Sequence, residues 1–243
     1  MRRTVVNVST GTTYRALQGR LNQELEEYGN CAIKLWSEPL PKSWTPHKDV
    51  PYRFKAHALR SVDADLVLWL DSAILPLRSL DPLWERIERE GYFLPANPGM
   101  MNYEWTAESA YCGLFPELKL AEAMIVNRTI PHCSSAAFGF DISRTGVGSE
   151  AFKEFSRLAN TRVFCGPWAN SNGPDRDRYQ ADYLKKLYTT APCGPPDVRG
   201  HRHDQTALSV IAWKLGMKLD TEMYAHENGT PDPGEKVILY HKI

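Results

Sequence analysis

The stretch DLVLWLDSAILPLRSLDPLW, residues 65–84, decides how the rest of the chain is read. Its five residues LVLWL form an unbroken apolar run that stops at Asp71-Ser72. A run of that length with no polar alternation predicts a central strand of a parallel sheet, covered on both faces. The chain turns apolar again, and Asp81-Pro82 then predicts a helix, with Asp as N-cap and Pro at the first helical position. In open parallel sheets, ligands bind beyond the carboxyl ends of the strands. Asp71 is therefore a candidate to take Mg²⁺ or Mn²⁺ and so neutralise a diphosphate leaving group. Capping a turn, or pairing with an arginine such as Arg78, is the structural alternative.

Working outward, TVVNVST (4–10) and CAIKLWS (31–37) read as strands. Between them Leu17, Leu21, Leu25 and Tyr28 recur at helical spacing until Gly29 stops the run. A proline-rich loop (38–51) leads to a helix over RFKAHALRSVD (53–63). LWERIERE runs to Gly91, and YFLPA (92–96), AAFGFDIS (136–143) and VILYHKI (237–243) read as strands. SEAFKEFSRLAN (149–160) and HDQTALSVIAWKLG (203–216) read as helices. Residues 97–134 give no clear pattern. Residues 165–200 are rich in Gly, Pro, Asn and Asp, which suits a substrate-covering segment. Strands alternating with helices predict an α/β protein with a mostly parallel central sheet flanked by helices.

The 243 residues suit one domain, and a hydrophobic share of 42% is enough for a sizeable core. Lys plus Arg number 29 and Asp plus Glu 29, so no overall attraction to a polyanion exists, although a local basic groove would suffice for DNA. MRRTVVNVSTG lacks the apolar run of a signal peptide, and no stretch approaches the roughly 18 apolar residues of a membrane span. Five widely spaced cysteines argue against a disulfide framework, which makes a cytoplasmic location the expectation. GVGSEA (146–151) fits a loose Gly-x-Gly-x-x-Ala pattern. No acidic residue follows at the distance a dinucleotide site requires, so it is read as a helix-entry turn. Phosphate-loop, nucleophile-elbow and zinc patterns are missing from the sequence.

FKAHALRSVDADLVLWLDSAILPLRSLDPLW (54–84) resembles the core of the GT-A nucleotide-diphospho-sugar transferases. Their pattern is a helix with an early Lys, an apolar strand ending in Asp-x-Asp, and a Leu-Asp-Pro-Leu helix start. AAFGFDIS resembles their acceptor-side strand, and RHDQTALSVIAWKLGMKL (202–219) their late Asp-Gln helix. The resemblance runs in order along the chain and implies a single GT-A-like domain over 1–243. Residues 1–96 would be the nucleotide-sugar half and 97–243 a loop-rich acceptor half. The sequence departs from the pattern at Asp71-Ser72-Ala73, where the second Asp is missing.

From this resemblance, Asn7, Ser9 and Thr10 would cradle the nucleotide, Tyr14 would stack on its base, and Lys55 would lie near the donor phosphates with Asp71 and Ser72. Gln205 would hold the donor sugar and Asp204 the acceptor hydroxyl or the sugar, although Asp204 also suits a plain N-cap. His203 is a second base candidate, because its unperturbed pKa lies near neutrality. A divalent cation, Mn²⁺ or Mg²⁺, would sit on Asp71, with His241 standing where glycogenin-like relatives complete the metal site. Metal-independent catalysis through cationic side chains is the alternative. The expected activity is transfer of a sugar from a uridine diphosphate sugar to a glycan, a lipid-linked sugar, a protein or a modified nucleobase in DNA. The rivals are a non-catalytic sugar-nucleotide or glycan-binding relative and, further off, a nucleotidyltransferase.

Overall fold

The computed structural model describes residues 1–175, 189–226, 234 and 236–241. At its centre lie β1 (Arg3–Ser9), β2 (Ala32–Ser37), β3 (Leu66–Leu70), β5 (Tyr92–Phe93) and β8 (Ala137–Asp141), in the sheet order β2-β1-β3-β8-β5. β1, β2 and β3 are parallel, while β8 runs antiparallel to both β3 and β5. The sheet is therefore mostly parallel, as expected. β8 comes from the second half of the sequence yet sits between two strands of the first.

LVLWL forms β3, the middle strand, and every residue of it is buried. Leu66, Leu68 and Leu70 join a core with Leu21 and Leu25 of α1 (Thr12–Tyr28) and with Trp84 and Ile87 of α3 (Asp81–Glu90). Val67 and Trp69 join the opposite core. There they meet Phe54 of α2 (Arg53–Arg60), Phe155 of α6 (Val147–Ala159) and Leu208 of α7 (His203–Lys214). Cover on both faces explains the missing alternation, and each such side chain contributes roughly 1.5–3 kcal/mol by leaving water.

Several boundaries differ from the sequence reading. α2 stops at Arg60, where the Ser61 N–H turns back to Ala58 O at 3.0 Å. Leu80, not Asp81, is the cap of α3; Asp81 is its first residue, and its N–H donates to Ser79 Oγ at 3.1 Å. Asp204 likewise lies inside the first turn of α7, whose cap is Arg202. The unreadable stretch 97–134 holds short pieces: β6 (Ala96–Met101), α4 (Tyr111–Leu114), α5 (Leu120–Asn127) and β7 (Pro131–Cys133). A buried polar cluster ties them together. Asn102 Nδ2 donates to Asn127 Oδ1 at 2.8 Å, and Asn127 Nδ2 donates to Thr106 Oγ1 and Tyr111 Oη, each at 3.0 Å.

After β3 the chain enters β4 (Ile74–Pro76), which pairs antiparallel with β12 (Ile238–Tyr240); β12 in turn pairs parallel with β11 (Tyr224–His226). Two residues of β9 (Ala169–Asn170) and two of β10 (Thr190–Ala191) flank the region 176–188, which lies outside the described residues. GVGS opens α6, and a Cβ on Gly148 would stand 1.8 Å from Gly91 O. Backbone meets backbone there, which accounts for the glycine as a helix-entry contact. No helix among the described residues is long and apolar enough to cross a membrane.

Candidate active site

β3 delivers Asp71 to the carboxyl edge of the sheet, where its N–H donates to Ala136 O at 2.7 Å. Its side chain is 30% exposed. Trp69 Nε1 donates to Asp71 Oδ1 at 2.7 Å, and Lys55 Nζ lies 3.1 Å from the same oxygen. Lys55 rises from the first turn of α2 and is 1% exposed; its Nζ is also 2.8 Å from Asp204 Oδ2 and 2.8 Å from Ser135 O. Two of these contacts are ion pairs with carboxylates and the third is a hydrogen bond that Lys55 donates to a carbonyl. The rings of Trp69 and Tyr52 stand 5.1 and 5.2 Å from Nζ, within cation–π range. One buried ammonium thus ties the end of β3 to the starts of α2 and α7.

Two carboxylates face one ammonium, so the cluster carries excess negative charge. Burial pushes the Asp71 carboxyl above the usual carboxylate range; Lys55 opposes that shift and Asp204 adds to it. For Lys55, burial acts downward, but Asp204 and Asp71 outweigh it and leave the ammonium raised and charged.

Lys55 is buried among Asp71, Asp204 and Ser135, a setting that the expectation of a phosphate-facing lysine did not include. Asp204 is 2% exposed and paired with Lys55, which suits a positioning role better than contact with an acceptor. His203 is buried, its Nδ1 3.0 Å from Phe164 O, and its ring packs against Tyr52 and Trp168. Burial holds its pKa well below the ordinary histidine value, so it is neutral and a weak base near pH 7.

The expected nucleotide cradle is also turned inward. Asn7 Nδ2 donates to Leu70 O at 2.7 Å, and Asn7 Oδ1 accepts from Gln18 Nε2 at 2.7 Å and Ser72 Oγ at 3.2 Å. Gln18 also donates to Trp36 O at 2.8 Å and accepts from Ser9 at 3.1 Å and Ser37 at 2.8 Å. Asn7, Ser9 and Ser72 are buried and lock the ends of β1, β2 and β3 together. Thr10 and Gln205 are half-buried, and Tyr14 is 51% exposed, so these remain open to a ligand alongside Asp71. Sequence reasoning missed Gln18, Ser135 and Tyr52. Gln18 alone had a signal, as a polar residue on the apolar face of α1.

Among the described residues, Asp71 is the one carboxylate of this cluster that is partly open to solvent. Ala73 stands where a second acid would be, and Asp71 Oδ1 already faces Lys55 and Trp69. His241 reaches this turn through its backbone, the N–H donating to Ala73 O at 2.9 Å. Among the described residues, no group of three or more His, Cys, Asp and Glu side chains is placed to hold a metal ion. A cavity of about 680 Å³ lies away from Asp71 and is lined by Glu108, Tyr111, Leu120, Pro167 and Cys193, among others. Pro167 in its wall is followed by Trp168, whose ring is 5.8 Å from that of His203.

No family model matches the chain, and no curated protein matches it. Solved structures do. The WbbM bifunctional glycosyltransferase superposes on 100% of this chain and 46% of its own, at 8% identity and a TM-score of 0.51. A glycosyltransferase involved in glycosylation of the major capsid of PBCV-1 covers 99% of this chain and 92% of its own, at 10% identity and a TM-score of 0.49. Mouse xyloside xylosyltransferase 1 covers 98% and 84%, at 11% identity and a TM-score of 0.44. The match to WbbM, which this chain spans for about half its length, carries the assignment: the chain has the α/β fold of GT-A-type glycosyltransferases.

Proposed function

We propose that the chain transfers a sugar from a nucleotide diphosphate sugar, in the first place a uridine diphosphate sugar, to an acceptor hydroxyl. The observation that carries this reading is Asp71: a strand-end carboxylate at the sheet's carboxyl edge, partly open and held by Lys55 and Trp69. Fixing it in advance spares the site reorganisation during the reaction, which is where electrostatic catalysis gains most. Asp71 accepts from a ring hydroxyl of the sugar, with Gln205 and Tyr14 at the rim of the same edge. Lys55 and Asp204 act through Asp71.

With one outward carboxylate, a Mg²⁺ or Mn²⁺ ion would take most of its ligands from water and the donor's own phosphates, arriving as part of the donor chelate. Such an ion would supply charge to the leaving diphosphate. The acceptor belongs in the 680 Å³ cavity, whose size suits a small ligand and whose walls come from residues 108–123, 167 and 192–194. A glycan, a lipid-linked sugar, a protein side chain and a modified nucleobase all fit this description.

A second reading, a protein that binds the sugar nucleotide without turnover, is favoured by the burial of both Asp204 and His203. The test is release of nucleoside diphosphate from a panel of uridine diphosphate sugars, with and without Mn²⁺. Slow release by the wild type, abolished by Asp71→Asn, supports the transferase. Tight binding with no release under any condition supports the binding protein.

A further inference from the structure

Tyr52 stands immediately before α2 with φ 59° and ψ 3°, the left-handed region that costs a non-glycine residue roughly 1–2 kcal/mol. His203, next to Asp204, has φ 45°, and the two rings meet at 5.5 Å. Two strained residues therefore face each other across the Lys55 cluster. Strain of this kind persists only where the surroundings over-determine it. The Tyr52 N–H donates to His47 Nδ1 at 3.1 Å, and its ring packs against His47 at 4.9 Å and Phe54 at 6.0 Å, besides Lys55 Nζ.

All of these contacts hold the backbone and the ring. No hydrogen bond engages the hydroxyl among the described residues, although Tyr52 as a whole is only half-buried. The unengaged end of a clamped side chain is thus a phenolic O–H. Burial, with Asp204 and Asp71 nearby, pushes its pKa well up, so it remains a donor at any working pH. Beside it, Asp71 offers acceptor oxygens only.

We propose that Tyr52 is a ligand-contacting residue of this site, its hydroxyl donating to a hydroxyl of the transferred sugar that in turn donates to Asp71. A sugar hydroxyl is both donor and acceptor, so a phenol and a carboxylate are the complementary pair for it. The inference rests on the donor reading above and names a specificity contact within it.

The test is Tyr52→Phe, which keeps the ring and deletes one oxygen, measured by calorimetry with uridine diphosphate and with uridine diphosphate sugars. The expected result is sugar-nucleotide binding weakened about tenfold, as for one lost hydrogen bond. Binding of uridine diphosphate alone stays unchanged, and the ligand-free unfolding midpoint stays within about 1 °C of the wild type. Wild-type affinity in Tyr52→Phe, with binding lost in Asp71→Asn, overturns the Tyr52 role and leaves the donor reading standing. Equal loss for nucleotide and sugar nucleotide, or a midpoint lowered by several degrees, overturns it as well. If the wild type binds no sugar nucleotide, the donor reading itself fails and the Tyr52 role with it.

Discussion

Replacing Lys55 by methionine keeps the buried stem and deletes the ammonium between Asp71 and Asp204, which lie 3.1 and 2.8 Å from Nζ. Two carboxylates then face each other without a cation, and the least costly response is for one to take up a proton. Neutralising a carboxyl with an unfolded pKa near 3.9 costs about 1.36 kcal/mol per pH unit above that value. The cost is therefore about 4 kcal/mol at pH 7 and about 2 kcal/mol at pH 5.5, in line with the roughly 3–5 kcal/mol for breaking a buried pair. The sign is fixed by linkage. A carboxyl whose folded pKa is raised is stable at low pH and loses stability as pH rises through that pKa, so the defect grows with pH. Urea unfolding of wild type and variant, followed by tryptophan fluorescence at several pH values, measures the difference directly. Adding Asp204→Asn removes one of the two charges; the double variant recovers about 2 kcal/mol at pH 7, and the pH slope flattens. A Lys55→Met cost below about 1 kcal/mol at pH 7, or one that does not change with pH, refutes the idea that this ammonium holds the site together.

Two other expectations follow from the fold. His132 and His201 are buried and neutral, with burial lowering their pKa values to about 3 and about 4. Their unfolded values lie near 6.5, so stability is complete above that pH and falls as pH drops towards 4, by roughly 2 kcal/mol for each histidine at pH 5. Acid titration of the unfolding midpoint checks this, and His132→Gln should flatten the curve. Gly148→Ala forces a methyl to within 1.8 Å of Gly91 O and should cost about 3 kcal/mol in urea unfolding while leaving ligand binding intact.

What could be read from the sequence was local and periodic. The unbroken LVLWL run, Leu17-Leu21-Leu25, and Gly91 closing α3 each announce themselves within a few residues, and the structure contains the elements they imply. The place of Asp71 just after β3 could be read because a strand end is a local feature. The contacts that give Asp71 its environment are not local: Lys55 and Asp204 are far apart in sequence, and only the packing of α2 and α7 against β3 joins them. The same pairing explains why Lys55 looked like a phosphate ligand; a lysine early in a helix gives no sign that two carboxylates will enclose it. Asn7 and Ser9 were expected to face a nucleotide because of the resemblance, and Gln18, reaching across from α1, bonds to both inside the fold. Tyr52 was invisible because nothing in PYRFK marks a left-handed tyrosine. Residues 97–134 were opaque because their helices and strands are too short to show a period.

The measurement that bears most directly on the central claim is the shift in unfolding midpoint when a uridine diphosphate sugar is added to wild type and to Asp71→Asn, with Mn²⁺ or with chelator. At a ligand concentration about 100 times Kd, mass action adds roughly 2.7 kcal/mol, or about 5–10 °C for a chain of this length. The account predicts that rise in the wild type and less than about 1 °C in Asp71→Asn. An equal rise in both proteins, or none in the wild type with any sugar nucleotide, contradicts it.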